Sequence, residues 1–282
     1  MSVRIARNSY GKSRVRLIKV ARGGLQHEIQ NLTINIALEG DFEEIHTTGD
    51  NRLCLPTDTM KNTVYALAGE TSEIEQPEVF GRRLADHFLK NNPQVSAVRL
   101  QIAEAAWTRM CFDDADHPHS FVKGSDEKRT VAINATRSLV TLDAGVEDLV
   151  VLKTSGSAFT GYIKDGFTTL PEATDRILSS SVKASWRYDD PDTATYDLFH
   201  SIRKTILEIF AGHDSESVQH TLYAIGKTVL ERFPVVEEIS FSLPNIHCLP
   251  VNVSRFGVED RNCIFVPTDE PHGLIEATIT RQ

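Results

Sequence analysis

Residues 28–38 read EIQNLTINIAL, and this stretch decides the fold class. Leu32, Ile34, Ile36 and Leu38 fall on one side of an extended chain, with Thr33 and Asn35 on the other. A period of two marks a strand with one buried and one wet face. The preceding stretch has the same period in basic form, Val15 and Leu17 alternating with Arg14 and Arg16, so the two predict a hairpin. Gly23 and Gly24 lie between them and are expected to make the turn, because glycine reaches positive φ without a Cβ clash.

A hairpin with one apolar face needs a cover, and helices supply it. Asp58 to Glu70 and Glu78 to Asn92 read as helices, the second carrying Phe80, Leu84 and Phe88 on one stripe and closed by Pro93. Val98, Leu100 and Ile102 then return to alternation, giving β-β-α-α-β. The second half repeats the theme. Val131, Ile133 and Ala135 alternate, and Leu149 to Leu152 is expected to be a short buried run. Helical stripes follow at Phe199, Ile202, Ile206, Ile209 and Phe210, and at Val218, Leu222, Ile225, Val229 and Phe233, with the second ended by Pro234. Strands at Ile239 to Leu243 and Ile275 to Ile279 close the chain. The reading is an α+β protein of two structurally duplicated halves, 1–136 and 137–282, with antiparallel sheets covered by helices on one face.

The chain has 282 residues, is 40% hydrophobic and carries a formal net charge of −9. The charge disfavours nucleic acid and anionic membrane as partners, and no apolar run approaches the roughly 18 residues of a membrane span. Cys54, Cys111, Cys248 and Cys263 form no C-x-x-C pair, so they read as reduced cysteines of a cytoplasmic protein. The basic N-terminus lacks the apolar run of a secretory signal, and its alternation favours a strand over a transit peptide. The last residues, Thr280-Arg281-Gln282, are not a peroxisomal S-K-L address.

Common catalytic motifs are absent. Gly11-Lys12-Ser13 resembles the end of a phosphate-binding loop, but Ala6 stands where its first glycine belongs. His117 and His119 flank Pro118 with no third ligand at a usual spacing, so they read as a polar turn and no metal is expected.

Several polar segments together resemble the urate oxidase (uricase) family over nearly the whole chain. They are Tyr10-Gly11-Lys12, Thr57-Asp58 with Lys61-Asn62-Thr63, Trp107-Thr108-Arg109, and HPHSF from His117 to Phe121. The most specific block runs from Leu149 through Leu152-Lys153-Thr154, Ser157, Phe159, Tyr162, Phe167 and Leu170 to Arg176. Ser217-Val218-Gln219 and Ser242-Leu243-Pro244-Asn245 with His247 complete the family's order.

The resemblance implies two tandem tunnelling-fold (T-fold) domains whose sheets close into a barrel in a homotetramer, with active sites at subunit interfaces. Lys12, Thr57 and Asp58 would come from one subunit, and Phe159, Arg176, Val218, Gln219, Asn245 and His247 from its neighbour. It implies oxidation of urate by dioxygen to 5-hydroxyisourate and hydrogen peroxide, with no cofactor and no metal. Arg176 and Gln219, with the Val218 N–H, would clamp the purine in its plane, and Phe159 would stack on it. The Thr57 hydroxyl and the Asp58 N–H would meet the opposite edge. Lys12, Thr57 and His247 would relay protons, Lys12 serving as base because burial in a closed interface disfavours its charged form. Asn245 and Thr57 would line the dioxygen site.

The missing S-K-L end departs from the family's peroxisomal members, and the tail stops soon after Gly273-Leu274-Ile275. Two alternatives stand beside this reading: another T-fold purine or pterin enzyme, which would need a catalytic acid or a zinc set in the pocket, and an oligomer that binds a purine without turning it over.

Overall fold

The computed structural model describes residues 3–281. It divides into two compact units: the chain up to Gly145 together with Arg187–Tyr196, and Val146–Trp186 together with the chain from Asp197 onward. Both are α+β, and every recorded strand ladder is antiparallel.

In the first unit β1 (Tyr10–Ala21), β2 (Glu28–Gly40), β3 (Val95–Phe112) and β4 (Ala115–Thr136) are neighbours in that order. The alternation in residues 28–38 is what the fold uses: Leu32, Ile34, Ile36 and Leu38 are all buried, at no more than 3% exposure. A short helix α1 (Glu43–Thr47) follows, and then α2 (Thr57–Gly69) and α3 (Pro77–Asn91) pack on β1 and on β3 and β4 respectively. Helix α3 turns Phe80, Leu84 and Phe88 inward, and Pro77 starts it where a missing N–H costs no bond. Gly23 and Gly24 differ from expectation. Neither has positive φ, and β1 and β2 are joined by a wider loop, 22–27, in which the His27 N–H donates to the Pro118 carbonyl.

Strands β3 and β4 also run well beyond the apolar alternation that predicted them. They end in a two-residue turn at Asp113 and Asp114, both at positive φ, the geometry whose twist matches a hairpin. Arg109 fastens this arm: its guanidinium donates to the carbonyls of His117, Pro118 and His27 and lies over the Phe121 ring. His117 and His119 therefore sit in a braced polar segment. Among the described residues no group of three or more His, Cys, Asp or Glu is placed to hold a metal.

In the second unit the order is β5 (Val140–Lys153), β6 (Leu178–Tyr188), β7 (Val236–Pro244) and the edge strand β10 (Leu274–Thr280). The unit boundary falls inside β5 and β6. Helices α4 (Tyr196–Gly212) and α5 (Val218–Arg232) stand between β6 and β7 in the chain, so the β-β-α-α-β order recurs. Helix α5 approaches β10 closely: a Cβ on Gly226 would lie 2.7 Å from the Ile279 Cδ1. A small hairpin of β8 (His247–Pro250) and β9 (Phe265–Thr268) precedes β10. Leu149 to Leu152 is not a buried run. Leu149 and Val151 are buried while Val150 and Leu152 are 63% and 54% exposed, the alternation of a sheet covered on one face only. Among the described residues no helix is long and apolar enough to cross a membrane.

Candidate active site

Each unit presents one cluster of the predicted residues, and each cluster is built at the start of a helix. In the first unit the chain reaches it through a bulge. Lys12 pairs with Ile36 but Val15 with Ile34, so β1 holds one residue more than its partner. Arg14 takes up the excess at φ 58, its N–H donating to the Asn35 Oδ1 at 2.8 Å. Directly opposed residues share a face, so the extra residue moves Lys12 from the wet face of Arg16 to the face of Ile34 and Ile36. Gly11 permits the tight passage: a Cβ there would lie 1.8 Å from the Ile36 carbonyl oxygen.

Tyr10 sets the other side. Its hydroxyl accepts from the Leu55 N–H at 2.8 Å and lies 3.1 Å from the Leu55 carbonyl, and its ring meets Phe42 edge-on at 4.8 Å. Burial pushes this phenol up to about 12, so it stays neutral and can donate. Leu55 and Pro56 lead into α2, whose first two residues are Thr57 and Asp58. The Asp58 carboxylate is turned back onto its own helix by Lys61 and Asn62, which together with the nearby Lys12 charge hold it below the ordinary carboxylate range. What Thr57 and Asp58 offer a ligand is thus a hydroxyl and first-turn N–H groups, which have no acceptor inside the helix. Lys12 and Thr57 are half-exposed, and neither side chain has a hydrogen-bond partner among the described residues.

The second unit holds the larger cluster. Phe159 and Arg176 lie at the two ends of the 154–177 connection between β5 and β6, cross-tied by hydrogen bonds from Phe159 N to Ala173 O, Ala173 N to Phe159 O and Arg176 N to Ser157 O. Tyr162 stacks on the Phe159 ring at 4.7 Å and 16°, and the Arg176 Cζ is 5.0 Å from the same ring centre. Neighbouring Asp175 accepts from Ser155 Oγ at 2.6 Å and Ser157 N at 3.2 Å, bonds that hold its carboxyl below the ordinary range. The Arg176 guanidinium itself has no hydrogen-bond or ion-pair partner among the described residues, and its burial lowers its pKa. A half-buried fork of unused donors suits a planar acceptor edge.

Helix α5 begins with Val218 and Gln219. Ser217 caps it, accepting from the His220 N–H at 3.1 Å, and this leaves the first N–H groups of the helix unspent. Val218 is buried and Gln219 exposed. Asn245 and His247 lie at the β7–β8 junction, fixed by bonds from Asn245 N to Gly273 O, Ile246 N to Ser179 O and Ser180 Oγ to Pro244 O. The Asn245 Oδ1 is buried without a partner. Such an atom costs free energy unless a ligand or water meets it. The proposed proton relay is divided between the units, Lys12 and Thr57 in the first and His247 in the second. Residues that the motif reading passed over are Tyr10 as a brace, Asp175, and a buried hydroxyl pair, Ser215 and Thr221, beneath the start of α5. Ser217 ahead of an apolar stripe was the available signal for that region.

In the second unit, a helix start that favours an anion and a half-buried guanidinium with no partner among the described residues beside stacked aromatics are features that suit a flat polar anion. The Uricase family model matches residues 8–134 and 142–276. The uricase of Arthrobacter globiformis is 41% identical over 278 residues, covering 99% of this chain and 90% of the relative; that of Oryctolagus cuniculus is 37% identical, covering 99% and 95%. The crystal structure of the Arthrobacter globiformis uricase superposes with a TM-score of 0.93 over 100% of this chain and 96% of that one. A hyperthermostable mutant of the Bacillus sp. TB-90 urate oxidase, 25% identical, gives 0.86 over 97% and 99%. A match of this breadth, at this identity and with this fold, places the chain in the uricase family.

Proposed function

We propose that this chain oxidises urate with dioxygen and water to 5-hydroxyisourate and hydrogen peroxide, without metal or organic cofactor, in the cytoplasm. The observation that carries the reading is the Arg176 fork, unpaired and half-buried beside the Phe159 ring, in a chain of this family. Arg176 and Gln219 hold the purine in plane with the Val218 N–H, and the Phe159 ring, backed by Tyr162, stacks on it. Thr57 and the Asp58 N–H meet the opposite edge. Lys12 takes the proton that urate must lose before it gives up electrons, and Thr57 and His247 pass protons onward. The orphan Asn245 Oδ1 faces the dioxygen or water above the ring together with Thr57.

Two tandem T-fold repeats, 1–136 and 137–282, form the subunit, and four subunits close the sheets into a barrel with each site shared by two of them. Ring closure removes the open edges that β1 and β10 present in one chain. Chelator-treated protein mixed with urate in air tests the activity. Loss of urate absorbance with one peroxide per urate is expected; unchanged urate overturns it. Lys12→Met should lower kcat by about 10²–10⁴ while urate still binds. Arg176→Ala should weaken binding itself, seen as a raised KM.

A further inference from the structure

We propose that Ser215 is a positioning residue for urate binding, the joint that holds the Arg176–Phe159 segment and the start of α5 in one fixed geometry. This rests on the site assignment above. Ser215 is 2% exposed. Its backbone grips one element: the Ser215 carbonyl accepts from Ala158 N at 2.7 Å, and its N–H donates to the Gly156 carbonyl at 2.9 Å. Those bonds flank Ser157, whose carbonyl accepts from Arg176 N at 2.7 Å. Its side chain grips the other element. The Ser215 hydroxyl donates to the Ser217 carbonyl at 2.9 Å and accepts from the Thr221 hydroxyl, itself 2% exposed, at 2.7 Å. Ser217 is the cap of α5 and Thr221 lies one turn inside it.

The hydroxyls form a chain with one direction. Thr221 donates to Ser215 and Ser215 donates to Ser217, so the Thr221 oxygen is left to accept, and the His213 Nδ1 lies 3.2 Å from it. Lys153 fixes the backbone of that histidine by donating to its carbonyl at 2.6 Å. A bidentate hold on a purine edge requires the guanidinium and the α5 donors to keep their spacing within a fraction of an ångström. Ser215 is the residue through which that spacing passes. Lys12 lies in the other unit, so loosening the joint weakens the hold on urate without altering the base.

Ser215→Ala and Thr221→Val each remove one hydroxyl, and Thr221→Ser keeps it. The two deletions are expected to raise the KM for urate about five- to tenfold, the worth of one hydrogen bond, and to leave kcat within about twofold. Thr221→Ser should stay near the parent. The double variant should be no worse than the weaker single, because both break one chain. Should Ser215→Ala fail to fold, the Thr221→Val and Thr221→Ser pair gives the same comparison. A lowered Tm with unchanged KM, a Thr221→Ser variant as impaired as Thr221→Val, or additive KM effects would each overturn the proposal while leaving the site assignment standing. A parent protein that neither binds nor oxidises urate overturns both.

Discussion

Tyr10 shows how much a single side chain can set. Its hydroxyl holds both polar groups of the Leu55 backbone two residues before Thr57, and it stands two residues before Lys12. Tyr10→Phe keeps the ring against Phe42 and removes only the hydroxyl. The Leu55 N–H then loses its partner, and kcat is expected to fall several-fold with a change in Tm of a few degrees at most. An unchanged kcat would show that the α2 start is held without it. Glu104 is a second case, away from the site. Its carboxylate is part-buried, and desolvation raises its pKa above the ordinary 4.5 despite the Arg129 charge and the bonds from Gln30 and Tyr196. The fold therefore favours protonated Glu104: its contribution is full below pH 4.5 and is lost as pH rises through the raised value. Glu104→Gln keeps an acceptor for Tyr196 and removes the titration. Thermal melts should show the variant gaining on the parent as pH rises from 4 to 7, and a constant difference would refute the sign.

At the scale of elements, much of the molecule is legible from period alone. The strands at 28–38, 98–102 and 239–243 and the stripes of α3, α4 and α5 were plain because one face of each is buried. What escaped was set by partners distant in sequence. The Arg14 bulge exists only in register with β2, and it decides which face Lys12 takes. The outer arm of β3 and β4 has no apolar face to reveal it; backbone pairing, the Arg109 clasp and the Asp113–Asp114 turn make it. The proposed site residues rest on family resemblance, whereas Ser215 and Thr221 look like ordinary polar residues until the fold joins them. The turn offers a test at this scale. Both aspartates occupy the left-handed region that suits Asn-Gly, and they add like charges at one tip. Asp113→Asn with Asp114→Gly should slow amide exchange across residues 107–122 by about fivefold. Equal or faster exchange would mean that the turn does not limit opening of the arm.

For the whole molecule, the decisive matter is which chains supply the two clusters of the proposed site. Lys12, Thr57 and Asp58 belong to one unit, and Arg176, Gln219 and His247 to the other, so the site as proposed needs one of each. The proposed tetramer joins them between neighbouring subunits, and this arrangement has a consequence that a site made within one chain does not share. Lys12→Met damages only the first cluster, and Arg176→Ala only the second. At urate near the parent's KM each variant alone should be nearly inactive, Lys12→Met through its kcat and Arg176→Ala through its KM. When the two are coexpressed and assemble at random, an intact site arises wherever a chain with native Lys12 meets a chain with native Arg176, which is about one site in four. Coexpressed protein should therefore recover roughly a quarter of the parent's rate of peroxide release per site at urate near the parent's KM. Variants purified apart and mixed should recover it only as fast as subunits exchange. Failure of the coexpressed pair to exceed either variant, with mixed tetramers verified by tagged subunits, would place both clusters of a working site on the same chain.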